Sequence, residues 1–371
     1  MKLFCWPKEG IYDECMCNIP QVRDSRKTVL ITGAAGFVGH HTLAHLLKTT
    51  DYKFVVTDSF KHLGVSARLR SVLSELPHSA QRMKIVTHDL TTPIDLVTFR
   101  EFGKVEIIIN MASESHVDRS ITEPRTFISN NVDLVLTMLD YARQLESLEV
   151  YIQISTDEVY GPAKVGTTHS EANPHLPSNP YAASKAAQEN ICYSYWRTYG
   201  LPMIITNTMN IIGERQDKEK FVPMVIHNLL KNLPITIHAQ KLSSEEWLSG
   251  SRYYLHARNQ ADAIRHLLEN RSALSLNYNK NQENELQKFN VVGEKELFND
   301  EVVDVIAKTL GLEARYSYVD FHSSRPGHDL RYALNGEKLK NFGWNPPIPL
   351  LESLERTVKW YVQNPDWLRS Y

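Results

Sequence analysis

The 371-residue chain has few cysteines, no long apolar run and almost no excess of charge of one sign. Its 41 basic and 43 acidic residues leave a net charge of −2, which gives no positive field for a phosphate backbone. We therefore expect no nucleic-acid partner. No apolar stretch approaches the roughly 20 residues of a membrane-spanning helix, so we expect no membrane partner. The first residues lack the apolar core of a secretory signal, which predicts a cytoplasmic protein.

The four cysteines also suit a reducing compartment. Three of them, Cys5, Cys15 and Cys17, lie in the leading segment 1–26. They form no C-x-x-C pair, and the first histidine of the chain is His40, so four zinc ligands cannot come together locally. We expect no metal site, and we interpret residues 1–26 as an N-terminal extension.

From Lys27 onward, short β-branched runs alternate with helical stretches. Continuous apolar strands joined by helices are typical of a parallel, doubly wound sheet, so we predict an α/β fold of the Rossmann type. The expected strands are 28–32, 53–57, 83–87, 105–110, 150–155 and 202–206. We assign 27–212 to this first domain, with a segment near 252–268 returning to it. We assign 213–371 mainly to a smaller C-terminal α/β lobe.

Three glycines, Gly33, Gly36 and Gly39, lie between the first strand and an amphipathic helix in TVLITGAAGFVGHHTLAHLL. Glycine permits a tight turn and close backbone approach, and the N-terminus of the helix then faces a pyrophosphate. The spacing G-x-x-G-x-x-G, with Phe37 and Val38 before the last glycine, therefore predicts a dinucleotide-binding turn.

An acid follows at the distance that such a turn requires. Asp58 ends the second strand, 19 residues beyond Gly39. A carboxylate there accepts hydrogen bonds from ribose hydroxyls and repels a 2′-phosphate, so the predicted cofactor is NAD rather than NADP. Asp89 and Leu90 close the third strand, and we expect them to border the adenine.

The spacing Y-x-x-x-K occurs twice. A glycine and a proline stand between Tyr160 and Lys164 and break any helix that would stack the two side chains. Tyr181 and Lys185 lie in NPYAASKAAQEN, where a proline suits the first helical turn and the spacing places both side chains on one face. A lysine cation near a phenol lowers the phenol pKa. Tyr181 is therefore the candidate base that takes a proton from a hydroxyl while hydride leaves the same carbon.

Two adjacent carboxylates, Asp157 and Glu158, follow the fifth strand in VYIQISTDEVYGP. Open α/β sheets bind their ligands at the carboxyl ends of the strands. Neighbouring carboxylates with separated pKa values can divide the roles of acid and base, which an elimination needs. Adjacent strand residues point to opposite faces, so a bend must present both acids. The alternative is that they only cap the following turn.

Taken together, the motifs resemble those of the extended short-chain dehydrogenases/reductases, and within them most closely the nucleotide-sugar 4,6-dehydratases. The similar stretches are the glycine turn, Asp58, NMASESHVDRSI (110–121), ISTDEVYG, YAASK and RPGHDLRY (325–332). The resemblance runs from about residue 27 to the end. It implies a nucleotide-sugar substrate held by the lobe and a bound NAD that is recycled. It also implies C4 oxidation, loss of water across C5–C6, and hydride return to C6.

The resemblance also implies roles for single residues. Glu158 takes the C5 proton, and Asp157 protonates the departing C6 oxygen. Thr156 and Tyr181 hold the C4 oxygen, and Lys185 completes the catalytic set. The further cofactor-binding residues that it implies are Ala112, Ser113 and Ser155. The substrate-binding residues that it implies, besides Thr156, are Glu114, Ser115, His116, Asn210, Lys220, Arg252, Arg325 and His328.

Two stretches depart from the resembled family. Asn207, Ile212 and Glu214 stand in NTMNIIGE, where the family usually has R-x-x-N-x-Y-G-P. Arg252 is followed by two tyrosines instead of Asp-Trp, after the long stretch KLSSEEWLSGS. We expect these changes to concern the nucleotide and phosphate end of the substrate, so the identity of the nucleotide stays open.

The resemblance further implies a homodimer, in which helices 126–144 and 181–199 pair across a two-fold axis as a four-helix bundle. An apolar stripe on the first of these helices fits such an interface, but it is equally compatible with the core of a monomer. The stripe consists of Val132, Val135, Met138 and Leu139.

Other functions stay open on the same scaffold. A 4-epimerase and a decarboxylase begin with the same C4 oxidation but do not need the acid pair. A 5,6-dehydratase eliminates the same water but places the hydride or proton differently, and its product is a 5,6-alkene. A non-catalytic NAD-binding sensor needs the glycine turn and Asp58, but neither Tyr181 and Lys185 nor the two acids.

Overall fold

The structure is a computed structural model that describes residues 25–62, 65–321 and 329–369. Its strands are β1 (Thr28–Thr32), β2 (Lys53–Asp58), β3 (Met83–Thr87), β4 (Ile107–Asn110), β5 (Val150–Thr156), β6 (Met203–Thr208), β7 (Ile211–Ile212), β8 (Ile235–Lys241), β9 (Trp247–Ser249), β10 (Ser251–Arg252), β11 (Leu255–His256), β12 (Gln287–Val291), β13 (Leu297–Phe298) and β14 (Tyr316–Asp320). Its α-helices are α1 (Phe37–Thr49), α2 (Val65–Glu75), α3 (Leu96–Phe102), α4 (Val117–Thr122), α5 (Pro124–Ala142), α6 (Pro180–Tyr199), α7 (Phe221–Leu230), α8 (Ala257–Glu269), α9 (Asn299–Leu310), α10 (Glu337–Asn341), α11 (Leu350–Gln363) and α12 (Asp366–Arg369). Short 3₁₀ helices cover Pro77–Arg82, Asp157–Tyr160 and Arg271–Ala273.

A seven-stranded sheet in the order β12-β6-β5-β4-β1-β2-β3 forms the centre of the molecule. Every neighbouring pair in it is parallel. The predicted Rossmann-type parallel sheet is thereby confirmed. The six predicted runs form β1 to β6. The seventh strand, β12, comes from a late part of the chain that the sequence patterns did not assign to this sheet.

Helices cover both faces of the sheet, because its central strands are apolar on both sides. Val29 and Ile31 of β1 point to one face, where they pack in one core with residues of α1 and α8. Leu30 points to the other face, toward α5 and α6. Each fully buried aliphatic side chain of this kind stabilises the fold by about 1.5–3 kcal/mol. This packing places α6 against β5 and the 3₁₀ turn that follows it.

The apolar stripe of α5 belongs largely to this core. Val135, Met138 and Leu139 are fully buried within the single chain, and Val132 is half-buried. The monomer core therefore accounts for three of the four residues that the sequence analysis considered for a dimer interface.

A smaller three-stranded sheet, in the order β14-β8-β9, lies in the C-terminal half. Its residues share a separate apolar core with α7, α9 and α11. Two short strand pairs, β7 with β11 and β10 with β13, connect other parts of the chain. Within the described ranges, none of the helices combines the length and the apolar character that crossing a bilayer requires.

Candidate active site

A chain of buried polar side chains joins the carboxyl ends of β1 and β4, and the middle of β5, to α6. The Thr32 hydroxyl donates to Asn110 Oδ1 at 2.6 Å, and Asn110 Nδ2 donates to Gln153 Oε1 at 2.9 Å. Gln153 Nε2 in turn donates to Gln188 Oε1 of α6 at 3.3 Å. Buried amides and hydroxyls have few alternative partners, so this chain sets the position of α6 relative to the strand ends.

The predicted dinucleotide turn lies between β1 and α1, and its shape requires glycine. Gly33 has a φ of +63°, and a Cβ there would lie 2.9 Å from Ala112 Cα. A Cβ on Gly39 would lie 2.1 Å from the Gly33 carbonyl oxygen. Gly36 precedes α1 and offers no side-chain cap to its first N–H groups. These groups suit a pyrophosphate, so the turn fits the predicted NAD. Phe37 and Val38 begin α1.

The two acids predicted near the cofactor have different partners. Asp58 accepts hydrogen bonds from the backbone N–H groups of Ala35, at 3.1 Å, and Phe60, at 3.0 Å. It therefore lies against the glycine turn, as a ribose-binding acid must. Asp89 instead forms an ion pair with Lys61 and accepts from the Thr91 hydroxyl at 2.8 Å, while Leu90 is buried.

A 3₁₀ turn presents the adjacent acids. β5 ends at Thr156, and the turn Asp157–Tyr160 begins at once. Thr156 Oγ1 accepts from the Glu158 N–H at 3.4 Å and donates to Asp157 Oδ1 at 2.8 Å. Thr156, and not either acid, is therefore the cap of this turn. Asp157 Oδ2 is buried without a hydrogen-bond partner among the described residues.

Burial and neighbouring charges raise the pKa values of both acids. Burial, followed by the Glu158 carboxylate, raises the pKa of Asp157 to about 7. Burial also raises the pKa of Glu158, although the Asn179 amide, Arg252 and Lys220 oppose that rise. Asn179 Nδ2 donates to Glu158 Oε2 at 3.1 Å. Asp157 can therefore hold a proton near neutral pH, while donors and cations favour the anion of Glu158.

Tyr181 and Lys185 lie one turn apart at the start of α6. The Lys185 ammonium donates to the Ile154 carbonyl and to Gln188 Oε1, both at 2.7 Å. Burial lowers the pKa of Lys185 to about 8. Burial, then Glu158 and Asp157, raise the pKa of Tyr181. From the Y-x-x-x-K spacing we expected Lys185 to lower the pKa of Tyr181. The opposite shift has a physical cause, because burial and two nearby carboxylates oppose formation of a tyrosinate.

The second Y-x-x-x-K pair is separated by the fold. Tyr160 ends the 3₁₀ turn and is 1% exposed, and its hydroxyl lies 3.4 Å from both Asn207 Oδ1 and Asn290 Oδ1. Lys164 is exposed in the following loop. The two side chains do not share a helical face, as the glycine and proline between them indicate.

The segment after β4 contains five of the predicted residues, from Ala112 to His116. The Ala112 N–H donates to the Thr32 hydroxyl oxygen at 3.1 Å. Glu114 pairs with His62 at 2.8 Å, and His116 Nε2 lies 3.1 Å from Glu219. The Ser113 hydroxyl donates to the Glu114 carbonyl at 3.0 Å, and Ser115 is exposed. The segment thus carries a carboxylate and an imidazole, and burial lowers the pKa of that imidazole.

Residues from the C-terminal half approach the acid turn from the other side. The Arg252 guanidinium donates to the Asp329 and Leu330 carbonyls and lies 4.7 Å from the centre of the Tyr332 ring. Lys220 precedes α7. Asn210 is exposed, and its carbonyl accepts from the Leu255 N–H at 3.0 Å. Arg325 and His328 lie outside the described residues, as do Cys5, Cys15 and Cys17 of the leading segment.

The structure adds two polar residues that the sequence analysis did not single out. The Asn179 side chain accepts from the Ala182 N–H at 2.8 Å and so caps α6, besides its bond to Glu158. The Tyr332 hydroxyl donates to the same Glu158 oxygen at 3.4 Å. An asparagine before a proline at a helix start is a recognisable cap signal. No local signal indicates the contact of Tyr332 with Glu158.

The positions at which the chain departs from the resembled family make contacts inside the protein. Asn207 Nδ2 donates to Glu189 Oε1 at 2.6 Å and to the Thr156 carbonyl at 3.0 Å. Glu214 Oε2 lies 3.0 Å from His256 Nε2, and Ile212 is a buried residue of the lobe core. Asn207 therefore lies directly beneath the acid turn.

Comparison with known proteins agrees with this geometry. The parallel sheet, the glycine turn and the tyrosine–lysine helix define the class of extended short-chain dehydrogenases/reductases. The chain belongs to the GDP-mannose 4,6 dehydratase family, whose model matches residues 30–357. The resemblance predicted from the motifs is thereby confirmed.

Individual relatives are similar over most of their length. A dTDP-glucose 4,6-dehydratase of Salmonella typhimurium is 31% identical in an alignment of 360 residues that covers 92% of this chain and 94% of that protein. A solved dTDP-glucose 4,6-dehydratase from Streptomyces venezuelae, with NAD bound, is 31% identical. That comparison has a TM-score of 0.77 and covers 92% of this chain and 98% of the other. A UDP-glucose 4-epimerase from Thermus thermophilus, also solved with NAD, is 27% identical with a TM-score of 0.74, over 90% of this chain and 99% of the other.

Proposed function

We propose that this protein is an NAD-dependent hydro-lyase, a nucleotide-sugar 4,6-dehydratase. It converts an NDP-hexose of the glucose type into the NDP-4-keto-6-deoxy sugar. The observation that carries this proposal is the buried acid pair at the end of β5, in which Asp157 Oδ2 has no hydrogen-bond partner among the described residues and Glu158 Oε2 accepts from Asn179. Burial raises the pKa of Asp157 to about 7, as an acid that acts near neutral pH requires. The dTDP-glucose 4,6-dehydratases among the relatives support the same reaction.

The first step is oxidation of C4, which needs a group that takes the hydroxyl proton. Tyr181 is the proposed group, with the Thr156 hydroxyl beside it. When bound, NAD would accept the C4 hydride, return it at C6 and place a positive charge beside this phenol. Lys185, held by Ile154 and Gln188, orients the same end of α6 and is the proposed contact to the cofactor ribose.

The second step removes water across C5 and C6. Once C4 is a ketone, the C5 hydrogen is acidic, and Glu158 takes it as a proton. The C6 hydroxyl leaves as water because Asp157 donates a proton to its oxygen. The electron pair of the C5–H bond becomes the C5–C6 double bond. C6 would receive the hydride back from the bound cofactor, and Glu158, whose proton exchanges with solvent, protonates C5. The proton that Tyr181 took from the C4 hydroxyl balances the one that Asp157 gave to the water, so the reaction needs no added oxidant.

The substrate end is proposed from charge and position. Arg252 and Lys220 bring positive charge toward Glu158, and cations of this kind suit a nucleotide diphosphate. Glu114, Ser115 and His116 are proposed to border the sugar, with Asn210, Arg325 and His328 at the nucleotide. Gly33, Gly36, Gly39 and Asp58 are proposed to hold the pyrophosphate and ribose of NAD. Ala112, Ser113 and Ser155 are proposed to line the nicotinamide, and Asp89 and Leu90 the adenine.

Product analysis tests the function. The protein is incubated with dTDP-, UDP-, CDP- and GDP-activated glucose and glucosamine in deuterated water, and products are identified by mass spectrometry and NMR. A 4-keto-6-deoxy product with deuterium at C5 supports the proposal. Inversion at C4 without loss of water would indicate an epimerase, loss of carbon dioxide a decarboxylase, and a 5,6-alkene a 5,6-dehydratase. Bound NAD without turnover of any sugar would indicate the sensor. The panel also identifies the nucleotide.

The proposal includes a homodimer through α5 and α6. These helices pack on each other, and they leave a partly exposed apolar face beside the buried stripe. This face consists of Ile128, Val132, Leu136, Ala187 and Ile191. Analytical ultracentrifugation tests it. The wild type should sediment as a dimer and Val132→Arg as a monomer, while Leu96→Arg, at an apolar residue exposed elsewhere, should leave the dimer intact. A monomeric wild type would overturn this part of the proposal.

A cytoplasmic location is also proposed. Cys192 is a free, buried thiol, which is compatible with a reducing compartment. Fractionation of cells that express the protein tests it, and recovery of the protein outside the cytosol would contradict it.

A further inference from the structure

A buried carboxylate without an assigned role lies beneath the acid turn. Glu189 is on α6, two turns after Tyr181, and is 3% exposed. Its Oε1 atom accepts from the Ser155 hydroxyl at 2.5 Å and from Asn207 Nδ2 at 2.6 Å. Ser155 is the second residue before Asp157. One oxygen of Glu189 is therefore hydrogen-bonded to the end of β5, immediately before the acid pair.

The other oxygen of Glu189 faces a cation from a distant part of the chain. Lys288 of β12 places its Nζ atom 2.7 Å from Glu189 Oε2. The same ammonium lies 3.2 Å from His175 Nε2 and 4.6 Å from the centre of the Tyr160 ring. His175 Nε2 is itself 3.1 Å from Glu189 Oε2. The strand that brings this lysine, β12, is the one that the sequence patterns did not place in the sheet.

A buried carboxylate destabilises a fold unless a cation and hydrogen bonds compensate it. Burial raises the pKa of Glu189, but His175 and Lys288 outweigh burial and lower it to about 2. Glu189 is therefore an anion, and charge-assisted hydrogen bonds from Ser155 and Asn207 are stronger than bonds to a neutral acid.

The same cluster reaches the acid turn by a second route. Asn207 Nδ2, which donates to Glu189, also donates to the Thr156 carbonyl. Tyr160, at the other end of the 3₁₀ turn, lies under the Lys288 ammonium and next to Asn207 Oδ1. Both ends of the turn that carries Asp157 and Glu158 are thus held by groups that contact Lys288 or Glu189.

We propose that Lys288 is a positioning residue for the dehydration: its ammonium holds Glu189 as an anion, and Glu189 with Asn207 fixes the end of β5 and the turn that presents Asp157 and Glu158. Lys288 acts through these residues and does not touch the substrate. This inference rests on the proposed function, because its effect is on the elimination step.

The test compares three single variants of the full chain. Lys288→Met removes the charge at similar length, Lys288→Arg keeps it, and Lys338→Met is the matched control. Lys338 is another lysine over an aromatic ring, that of Phe289 at 4.8 Å. It is exposed, and no contact among the described residues joins it to Glu189. In Lys288→Met, kcat should fall by on the order of 10²-fold, the effect of a small misplacement of reacting groups. KM should change little, since the ammonium lies beneath the turn. Lys288→Arg should retain most of the activity, and Lys338→Met all of it.

The pH profile separates positioning from a general loss of fold. In Lys288→Met, the alkaline limb of kcat should move, because the surroundings of Asp157 change, whereas fewer folded molecules would lower kcat equally at every pH. Where Lys288→Met does not fold, the pair Glu189→Gln with Lys288→Met replaces it, since that variant buries no uncompensated charge. It should fold and keep the low kcat.

The outcomes distinguish the two proposals. A wild type that dehydrates no nucleotide sugar overturns the proposed function. A folded Lys288→Met protein, or a folded double variant, with wild-type kcat and an unmoved alkaline limb overturns the positioning role while the function stands. Loss of activity in folded Lys288→Arg would also overturn the positioning role, because the positive charge would then not be sufficient for activity.

Discussion

Asn179 Nδ2 donates a 3.1 Å hydrogen bond to Glu158 Oε2, while Oδ1 of the same amide accepts the Ala182 N–H at 2.8 Å. One side chain therefore caps the helix of Tyr181 and Lys185 and also holds the proposed base. A donor to the carboxylate favours its charged form and opposes the rise in the Glu158 pKa that burial causes. The start of α6 and the basicity of Glu158 are thus coupled.

The first prediction tests this coupling with Asn179→Asp. Aspartate is as good a helix cap as asparagine, but it replaces the donor to Glu158 with a second carboxylate. The pKa of Glu158 should rise, so the acidic limb of the kcat profile should move to higher pH. Asn179→Ser, which keeps the cap and adds no charge, should move it less. If the acidic limb is unchanged in Asn179→Asp, the hydrogen bond from Asn179 does not control the pKa of Glu158.

A second prediction separates the roles of the two acids. Each proton transfer contributes about 10²- to 10⁴-fold, so Asp157→Asn and Glu158→Gln should both lower kcat by such a factor. In single-turnover experiments both should still form reduced nicotinamide, because C4 oxidation precedes elimination. Only Asp157→Asn should still exchange the C5 hydrogen with deuterated solvent. Exchange in Glu158→Gln, or its absence in Asp157→Asn, would reverse the assignment.

The third prediction concerns alkaline pH. The proposed acid must carry a proton, and the pKa of Asp157 is about 7, so kcat should fall as pH rises above about 7. Thr156 Oγ1 donates to Asp157 and lowers this pKa. Thr156→Val should therefore move the alkaline limb to higher pH, whereas Thr156→Ser, which keeps the hydroxyl, should not. If the alkaline limb is the same in the wild type and in both variants, it reports the ionisation of a group other than Asp157.

The fourth prediction concerns stability. The pKa of Asp157 is raised from 3.8 to about 7 in the folded protein. The folded state holds this proton more tightly, so the contribution to stability is present below about pH 4 and is lost as pH rises through about 7. Asp157→Asn cannot ionise. Near pH 8 its free energy of unfolding should exceed that of the wild type by on the order of 1–4 kcal/mol, and the difference should vanish near pH 4. Chemical denaturation at both pH values measures this, and a difference independent of pH would contradict it.

The fifth prediction concerns the choice of cofactor. Asp58 lies against the glycine turn, where its charge repels a 2′-phosphate. Asp58→Asn should therefore reduce the preference for NAD over NADP by at least roughly tenfold, because a like-charge contact is removed. Reconstitution with mixed cofactors, followed by quantification of the bound nucleotide, measures the ratio. The control is Asp51→Asn, since Asp51 is exposed between α1 and β2, at the opposite end of β2 from Asp58. An equal change in both variants would exclude a specific role for Asp58.

Much of the fold follows from patterns within single segments. The apolar runs predicted β1 to β6, and the glycine turn and the YAASK helix indicated the family that the comparisons confirm. The strand β12 was missed because QKFNV is short and begins with polar residues, and because a parallel neighbour can come from anywhere in the chain. The shift in the Tyr181 pKa was missed for a similar reason. Its sign depends on burial and on Asp157 and Glu158, which another strand brings to it.

The sequence by itself therefore determined which residues share a helix face or a strand end, as Tyr181 and Lys185 do, because these periodicities are local. Only the tertiary structure decided the protonation states of the site residues and which distant side chains contact them. Tyr332 meets Glu158 across 174 positions of the chain, and Lys288 reaches Glu189 from an edge strand. The physical reason is that burial and opposing charge, which set the proton affinity of a carboxylate, come from whatever the fold packs around it.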